Sequence, residues 1–197
     1  MKRKCLNKYA KNVETIDYEK IIRSEIRKRK IRVQKWCTEE PENSYEAYIS
    51  SRVVRIPKPV DSFHFHVCLH EIGHVVTGER LYGYLQEYNA EKWAIERAEY
   101  YGVIDEDYIR DAKVYVLKHC ITDVMLHGLK HTQIRKYVLD WIGLDYEQFK
   151  DVVLQNGMKL VMNYIYEYWQ PKNNAEIVHD IYVDRKTKTR LALTVKN

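Results

Sequence analysis

Apolar residues recur at helical spacing over most of this chain, and the stretches that break the pattern are short. Between Ile21 and Trp36, the residues Ile22, Ile26 and Val33 fall roughly along one helical stripe with Arg and Lys on the other faces, which predicts a basic amphipathic helix. A polar run from Thr38 to Ser44 reads as a loop or linker. Val53, Val54 and Ile56 then form a candidate strand within Glu46 to Ile56. Pro57-Lys58-Pro59 stops it, because proline holds its predecessor extended and donates no ladder hydrogen bond. Asp61 or Ser62 supplies an N-cap, Phe63 to Thr77 a largely apolar helix, and Gly78 a residue suited to a left-handed C-terminus.

Further helices are expected from about Leu85 to Tyr101, ended by Gly102, and from about Asp105 to Leu126, ended by Gly128. Val114, Leu117, Ile121 and Val124 give the second of these an apolar face. Thr132 to Trp141 and Asp145 to Gln155 read as two short helices separated by Gly143, a pair that is only loosely like a helix-turn-helix. A Tyr-rich helical or extended segment, Met158 to Trp169, follows. Beyond the breaker Pro171 to Asn174, Ile181 to Val183 and Leu191 to Val195 predict a terminal β-hairpin. The pattern as a whole predicts an α+β fold, mainly α, with a small β-sheet and a C-terminal β-hairpin, and it admits a three-stranded sheet beside the central helices.

Composition narrows this picture. Hydrophobic residues make up 45% and charged residues 31%, with only 7 Gly and 4 Pro, which excludes collagen-like and low-complexity chains. Seventeen Tyr against three Phe suit half-buried positions, where rings pack and hydroxyls reach water. No apolar run approaches the ~20 residues needed to cross a bilayer, and Met1 to Lys8 lacks the apolar stretch of a secretory signal, so the expected compartment is the cytoplasm. Cys5, Cys37, Cys68 and Cys120 lie far apart with no C-x-x-C pair, as reduced and mostly buried thiols would. The net charge of +5 is uneven: residues 1–35 hold 13 Lys/Arg against 4 Asp/Glu, a balance of +9 that leaves −4 on the remainder. A basic arm over residues 1–37 is therefore expected. It suits nucleic acid, an anionic surface or an acidic partner, or else a solvated helix whose stripe docks on the main domain.

The chemistry lies in His70-Glu71-Ile72-Gly73-His74, an H-E-x-x-H motif inside the apolar helix. Histidines four apart share a helical face and can reach one metal, while Glu71, displaced by about 100°, borders the same cleft. Such a carboxylate is placed to take a proton from a water attacking a carbonyl and to deliver it to the leaving amine. Gly73 costs about 1 kcal/mol relative to Ala in mid-helix, so its presence implies that something approaches that face closely. A third protein ligand is needed. On the next helix Glu87 and Glu91 are four apart, with small Ala90 and Ala94 on the side that could press against the first helix. We assign Glu87 to the metal and Glu91 to hydrogen bonding at the outer nitrogen of a ligand histidine; spacing alone also allows the reverse. Glu96 and Glu99 are remoter candidates. His66 sits one turn before His70, His64 faces elsewhere, and Cys68 lies off the metal-facing stripe.

His70-Glu-Ile-Gly-His74 followed by Glu87-Tyr-Asn-Ala-Glu91-Lys-Trp-Ala94 resembles the gluzincin zinc metallopeptidases, over about residues 53–101. Their third ligand is a Glu on a following helix, with Asp, Asn or Glu one turn later. Lacking an apolar membrane span, the chain is similar to the soluble ImmA/IrrE-like metallopeptidases of phages and mobile elements rather than to the membrane-bound HtpX-like proteases. The resemblance implies a zincin-like helical core over residues 45–128, a Zn²⁺ cofactor held by His70, His74 and Glu87, and Glu71 as general base. It also implies an oxyanion donor; His127, His131, His179 and many tyrosines are all candidates.

The expected function is hydrolysis of peptide bonds in an intracellular protein. The basic arm, with the helical segment and hairpin of residues 129–197, would recruit or position that protein or peptide substrate. The competing expectation is a non-catalytic zinc-binding protein of a phage or mobile element, whose arm, residues 1–35, holds nucleic acid or an assembly partner. Glu71 separates the two, because a structural zinc site tends toward four closed ligands and needs no free carboxylate.

Overall fold

The carboxylate of Asp61 starts the helix on which the site is built. Asp61 is extended, with φ −145° and ψ 179°, and its side chain accepts the His64 backbone N–H at 2.8 Å. In the computed structural model, which describes residues 16–37, 45–78, 83–155 and 157, this helix is the second of the chain. The elements are α1 (Tyr18–Lys28), β1 (Arg32–Cys37), β2 (Glu46–Tyr48), β3 (Val53–Pro57), α2 (Ser62–Thr77), α3 (Gly83–Tyr100), α4 (Glu106–Leu126) and α5 (Lys136–Ile142). A 3-10 turn lies at His131–Gln133 and a further helix, α6, over residues 146–155. The protein is thus mainly helical with one small sheet among the described residues, an α+β fold.

The three strands run in the order β1-β3-β2. β1 lies parallel to β3, from Arg32 opposite Val53 to Cys37 opposite Pro57, with an irregularity between Val33 and Lys35; β2 is antiparallel to β3. β3 is the central strand and is buried along most of its length, as its Val53, Val54 and Ile56 require. Ile22, Ile31, Val54, Ile56, Phe65, Leu69, Ile72, Ala94 and Ala98 join sheet, α1, α2 and α3 in one core. α2 buries residues on all sides, which explains why its sequence is apolar nearly all round.

The expected helix from Ile21 to Trp36 is corrected. α1 ends at Lys28, Lys30 takes a left-handed conformation with φ 52°, and Arg32 to Cys37 form β1. β-branched Val33 and aromatic Trp36 favour the strand, and β3 offers it a hydrogen-bonding edge. Ile22 and Ile31 lie in the core, and Tyr18, Ile21, Ile26, Val33 and Trp36 pack against it, so α1 and β1 are anchored to the sheet and helices. They are pinned by Glu25, fully buried, which accepts from Arg97 Nη2 at 2.7 Å and also contacts Arg29 and the Tyr101 hydroxyl. Lys20, Arg27, Lys30, Arg32 and Lys35 remain exposed. The chain divides into two compact units, residues 1–116 and 117–197, at a point within α4.

In the second unit Ile134, Val138, Leu139 and Phe149 are buried, Gly143 caps α5 with φ 94°, and the Tyr146 hydroxyl donates to the Ile134 carbonyl at 2.9 Å. Of the expected apolar face of α4, Leu117 and Ile121 are buried, while Val114 and Val124 are only half-buried. Cys37, Cys68 and Cys120 are buried. Among the described residues no helix is long and apolar enough to cross a membrane. Residues 1–15, the Met158 to Trp169 segment, the hairpin expected from Ile181 to Val195, Cys5 and His179 lie outside the described residues.

Candidate metal centre

His70 and His74 stand one turn apart on α2, with their Nε2 atoms 3.0 Å apart and their rings nearly perpendicular, at 85°. Glu87, from the first turns of α3, brings its Oε2 to 3.4 Å from each of those nitrogens. The close approach of the two helices depends on Gly73. A Cβ there would meet the Ala90 carbonyl oxygen at 2.8 Å, and Ala90 and Ala94 are fully buried on the facing side of α3.

Three electron-pair donors therefore converge in a buried place, and Glu87 Oε2 has no hydrogen-bond partner. An unpaired buried carboxylate oxygen is costly, so its orphaned state tests whether a cation fits. An ion bound tetrahedrally by N and O at about 2.0–2.1 Å sets its ligands about 3.3–3.4 Å apart. Two of the three separations match that edge, and the third is shorter by a few tenths of an ångström. His70, His74 and Glu87 form a group that could hold a metal ion.

Glu91, one turn after Glu87, lies at a different place. Its Oε1 is 3.2 Å from Nδ1 of His70, close enough for a charge contact though not aligned as a hydrogen bond, and its Oε2 accepts the Tyr108 hydroxyl at 2.7 Å. Burial alone would lower the His70 pKa, but the surrounding Glu91 and Glu87 carboxylates hold it well above the ordinary value. Burial would raise Glu87, yet the two imidazoles beside it hold its carboxyl well below the usual range. Glu71, buried beside His70 on α2, is raised by burial, with the two imidazoles opposing. Burial would also raise Glu91, but His70 and the Tyr108 hydroxyl hold it below the ordinary value, so of the three neighbouring acids only Glu71 is raised.

The remaining candidates separate clearly. Glu96 is exposed and paired with Lys92, and Glu99 is exposed. His64 bonds Asp61 at 2.6 Å at the start of α2, and the Cys68 thiol donates to the Pro57 carbonyl at 3.2 Å. His66 is buried, held through Nδ1 at the Ser62 carbonyl oxygen, 2.7 Å away, and stacked on Tyr108. Burial lowers its pKa, with that carbonyl opposing. His127 is bonded to Asp123 at 2.6 Å, and His131 lies in the 3-10 turn; both belong to the second unit.

Two tyrosines of α4 reach the site and were not distinguished by sequence from the other fifteen. Tyr115 meets the His70 ring edge-on at 5.9 Å and 79°, and Tyr108 holds Glu91. Which tyrosine of α4 meets α2 and α3 depends on how the helices cross, and no local spacing encodes that. Compared with family models, curated proteins and solved structures, the chain matches none.

Proposed function

We propose that this chain is a zinc-dependent metallopeptidase that hydrolyses peptide bonds in a protein substrate. The observation that carries the reading is the convergence of His70 Nε2, His74 Nε2 and Glu87 Oε2 at 3.0–3.4 Å around an otherwise unpaired carboxylate oxygen. Two nitrogens and one oxygen suit zinc, and three protein ligands leave a coordination position for water or substrate. Bound zinc would supply a Lewis acid that lowers the pKa of water toward ~7 and polarises a carbonyl.

The protein's own part is proton handling and orientation. Glu71 takes a proton from the water whose oxygen adds to the peptide carbonyl carbon. It returns that proton to the amide nitrogen as the C–N bond breaks. Burial of its carboxyl supports this role, since a base that must also act as an acid works best with its pKa moved toward neutrality. Glu91 faces the outer nitrogen of His70 and so favours the tautomer whose Nε2 is bare. The exposed cations of α1 and β1 support an anionic partner, or an anionic region of the substrate, for that surface.

Expressing wild type and Glu71→Gln in cells and comparing total cell proteins, with metal analysis of both purified chains, tests the reading. Equal zinc contents with cleavage fragments from wild type only are expected. Fragments of equal yield from both chains would remove catalysis by Glu71, and a metal-free wild type would remove the metal.

A further inference from the structure

The first turn of α4 carries Tyr108, a residue outside both ligand-bearing helices. Asp105 fixes its backbone: Oδ1 accepts the Tyr108 N–H at 3.0 Å, while Oδ2 accepts the Ser62 hydroxyl at 2.7 Å. The start of α4 is thereby tied to the start of α2. The ring is fixed as well, stacked on His66 with centroids 4.3 Å apart and planes at 29°. With backbone and ring held, the hydroxyl donates to Glu91 Oε2 at 2.7 Å, and the other oxygen of Glu91 faces His70 Nδ1 at 3.2 Å.

The terminal torsion of a carboxylate is otherwise broad and roughly two-fold. Turning Oε1 away from His70 would break the Tyr108 bond where Glu91 is only 5% exposed and water is scarce. We propose that Tyr108 is a positioning residue of the metal site: by holding Glu91 it sets the orientation of the His70 imidazole and hence how tightly the site binds a transition-metal ion. The inference rests on the metal reading of His70, His74 and Glu87 and is independent of whether peptides are cut. Groups that fix a ligand histidine from behind commonly govern affinity as strongly as this. α4 thus controls the site without contributing a ligand.

Tyr108→Phe removes one oxygen and leaves the ring on His66 and the Asp105 cap, so the metal-free variant should fold, as circular dichroism and thermal unfolding would show. Zinc affinity of the full chain, measured by competition with a chromophoric chelator, should fall about 10–100-fold. Glu91→Ala should weaken binding similarly. Adding Tyr108→Phe to Glu91→Ala should then change affinity by less than about 3-fold, since the hydroxyl no longer acts on His70 through Glu91. The visible spectrum of the cobalt(II)-loaded Tyr108→Phe protein should also be displaced from wild type, reporting a turned ligand. Wild-type affinity and spectrum in Tyr108→Phe would overturn the inference, as would a loss undiminished in the Glu91→Ala background. A wild-type chain that binds no zinc would overturn both this inference and the metal reading, whereas the first two results would leave the metal reading standing.

Discussion

Gly73 of α2 sits against the backbone of Ala90 of α3, so closely that an ideal Cβ on Gly73 would lie 2.8 Å from the Ala90 carbonyl oxygen and 3.0 Å from its Cα. Gly73 adjoins His74, and Ala90 lies between Glu87 and Glu91. The contact that lets the helices touch is therefore the one that brings the ligands together. Gly73→Ala gains about 1 kcal/mol of helix propensity but forces a methyl against backbone that cannot rotate away, at a typical overpacking cost of about 1–3 kcal/mol. The variant should melt below wild type and bind zinc more weakly, because parted helices draw Glu87 from the imidazoles. A higher melting temperature with undiminished zinc affinity would show that the helices do not depend on this contact.

What could be read in advance is local. His70 and His74 at i and i+4, the Asp61 cap and the left-handed Gly78 are decided within one helix, and the mid-helix glycine announced a close neighbour without naming Ala90. Val33 misled because a residue seven positions after Ile26 fits a helical stripe as well as it fits a strand. The turn at Lys30 carries no glycine to mark it, and only the edge of β3 decides between the two. Tyr108 was beyond reach for a related reason: its cap at Asp105 is legible, but its meeting with Glu91 arises from helix crossing.

Glu87 distinguishes a metal ligand from an ordinary buried acid. Ligand binding to the native state adds RT ln(1 + [L]/Kd), about 2.7 kcal/mol when free zinc stands 100-fold above Kd. Wild type should therefore melt at a higher temperature with zinc and lose that gain on chelation. Glu87→Ala should show neither response and should contain little zinc on purification. Calorimetry with and without chelator measures both, and equal zinc-induced shifts in the two proteins would remove Glu87 from the coordination set.

The buried Glu25 cluster gives the fold an acid-sensitive fastening between α1 and α3. Burial would raise the Glu25 carboxyl, but Arg97, Tyr101 and Arg29 together hold it below the ordinary value. A carboxyl depressed in the folded state stabilises fully above its unfolded pKa of about 4.3, and that contribution is lost as pH falls through the folded value. Glu25→Gln should accordingly flatten the decline in stability below about pH 4.3 while lowering stability at neutral pH. The neutral-pH loss should be about 2–3 kcal/mol, less than for a wholly buried pair because Arg29 and Arg97 are partly exposed. Parallel acid-stability curves for the two proteins would mean that Glu25 ionises alike when folded and unfolded.

Removing residues 1–35 would be a poor test of their charge, because α1 and part of β1 are packed into the core and β1 pairs with β3. Charge substitution leaves that packing intact. Lys20 and Arg27 on α1 and Arg32 and Lys35 on β1 point to solvent, while the acid of α1 nearest the core, Glu25, is taken up by arginines. Replacing these four by Gln should leave the melting temperature and zinc content close to wild type, since no buried contact is lost. Retention on an immobilised polyanion should fall, and should become less sensitive to salt, because screening at about 0.1 M acts over roughly 10 Å and weakens only what those charges contributed. If retention and its salt response are unchanged, the basic surface of α1 and β1 has no electrostatic part in binding, and recruitment of an anionic partner must be sought elsewhere on the chain.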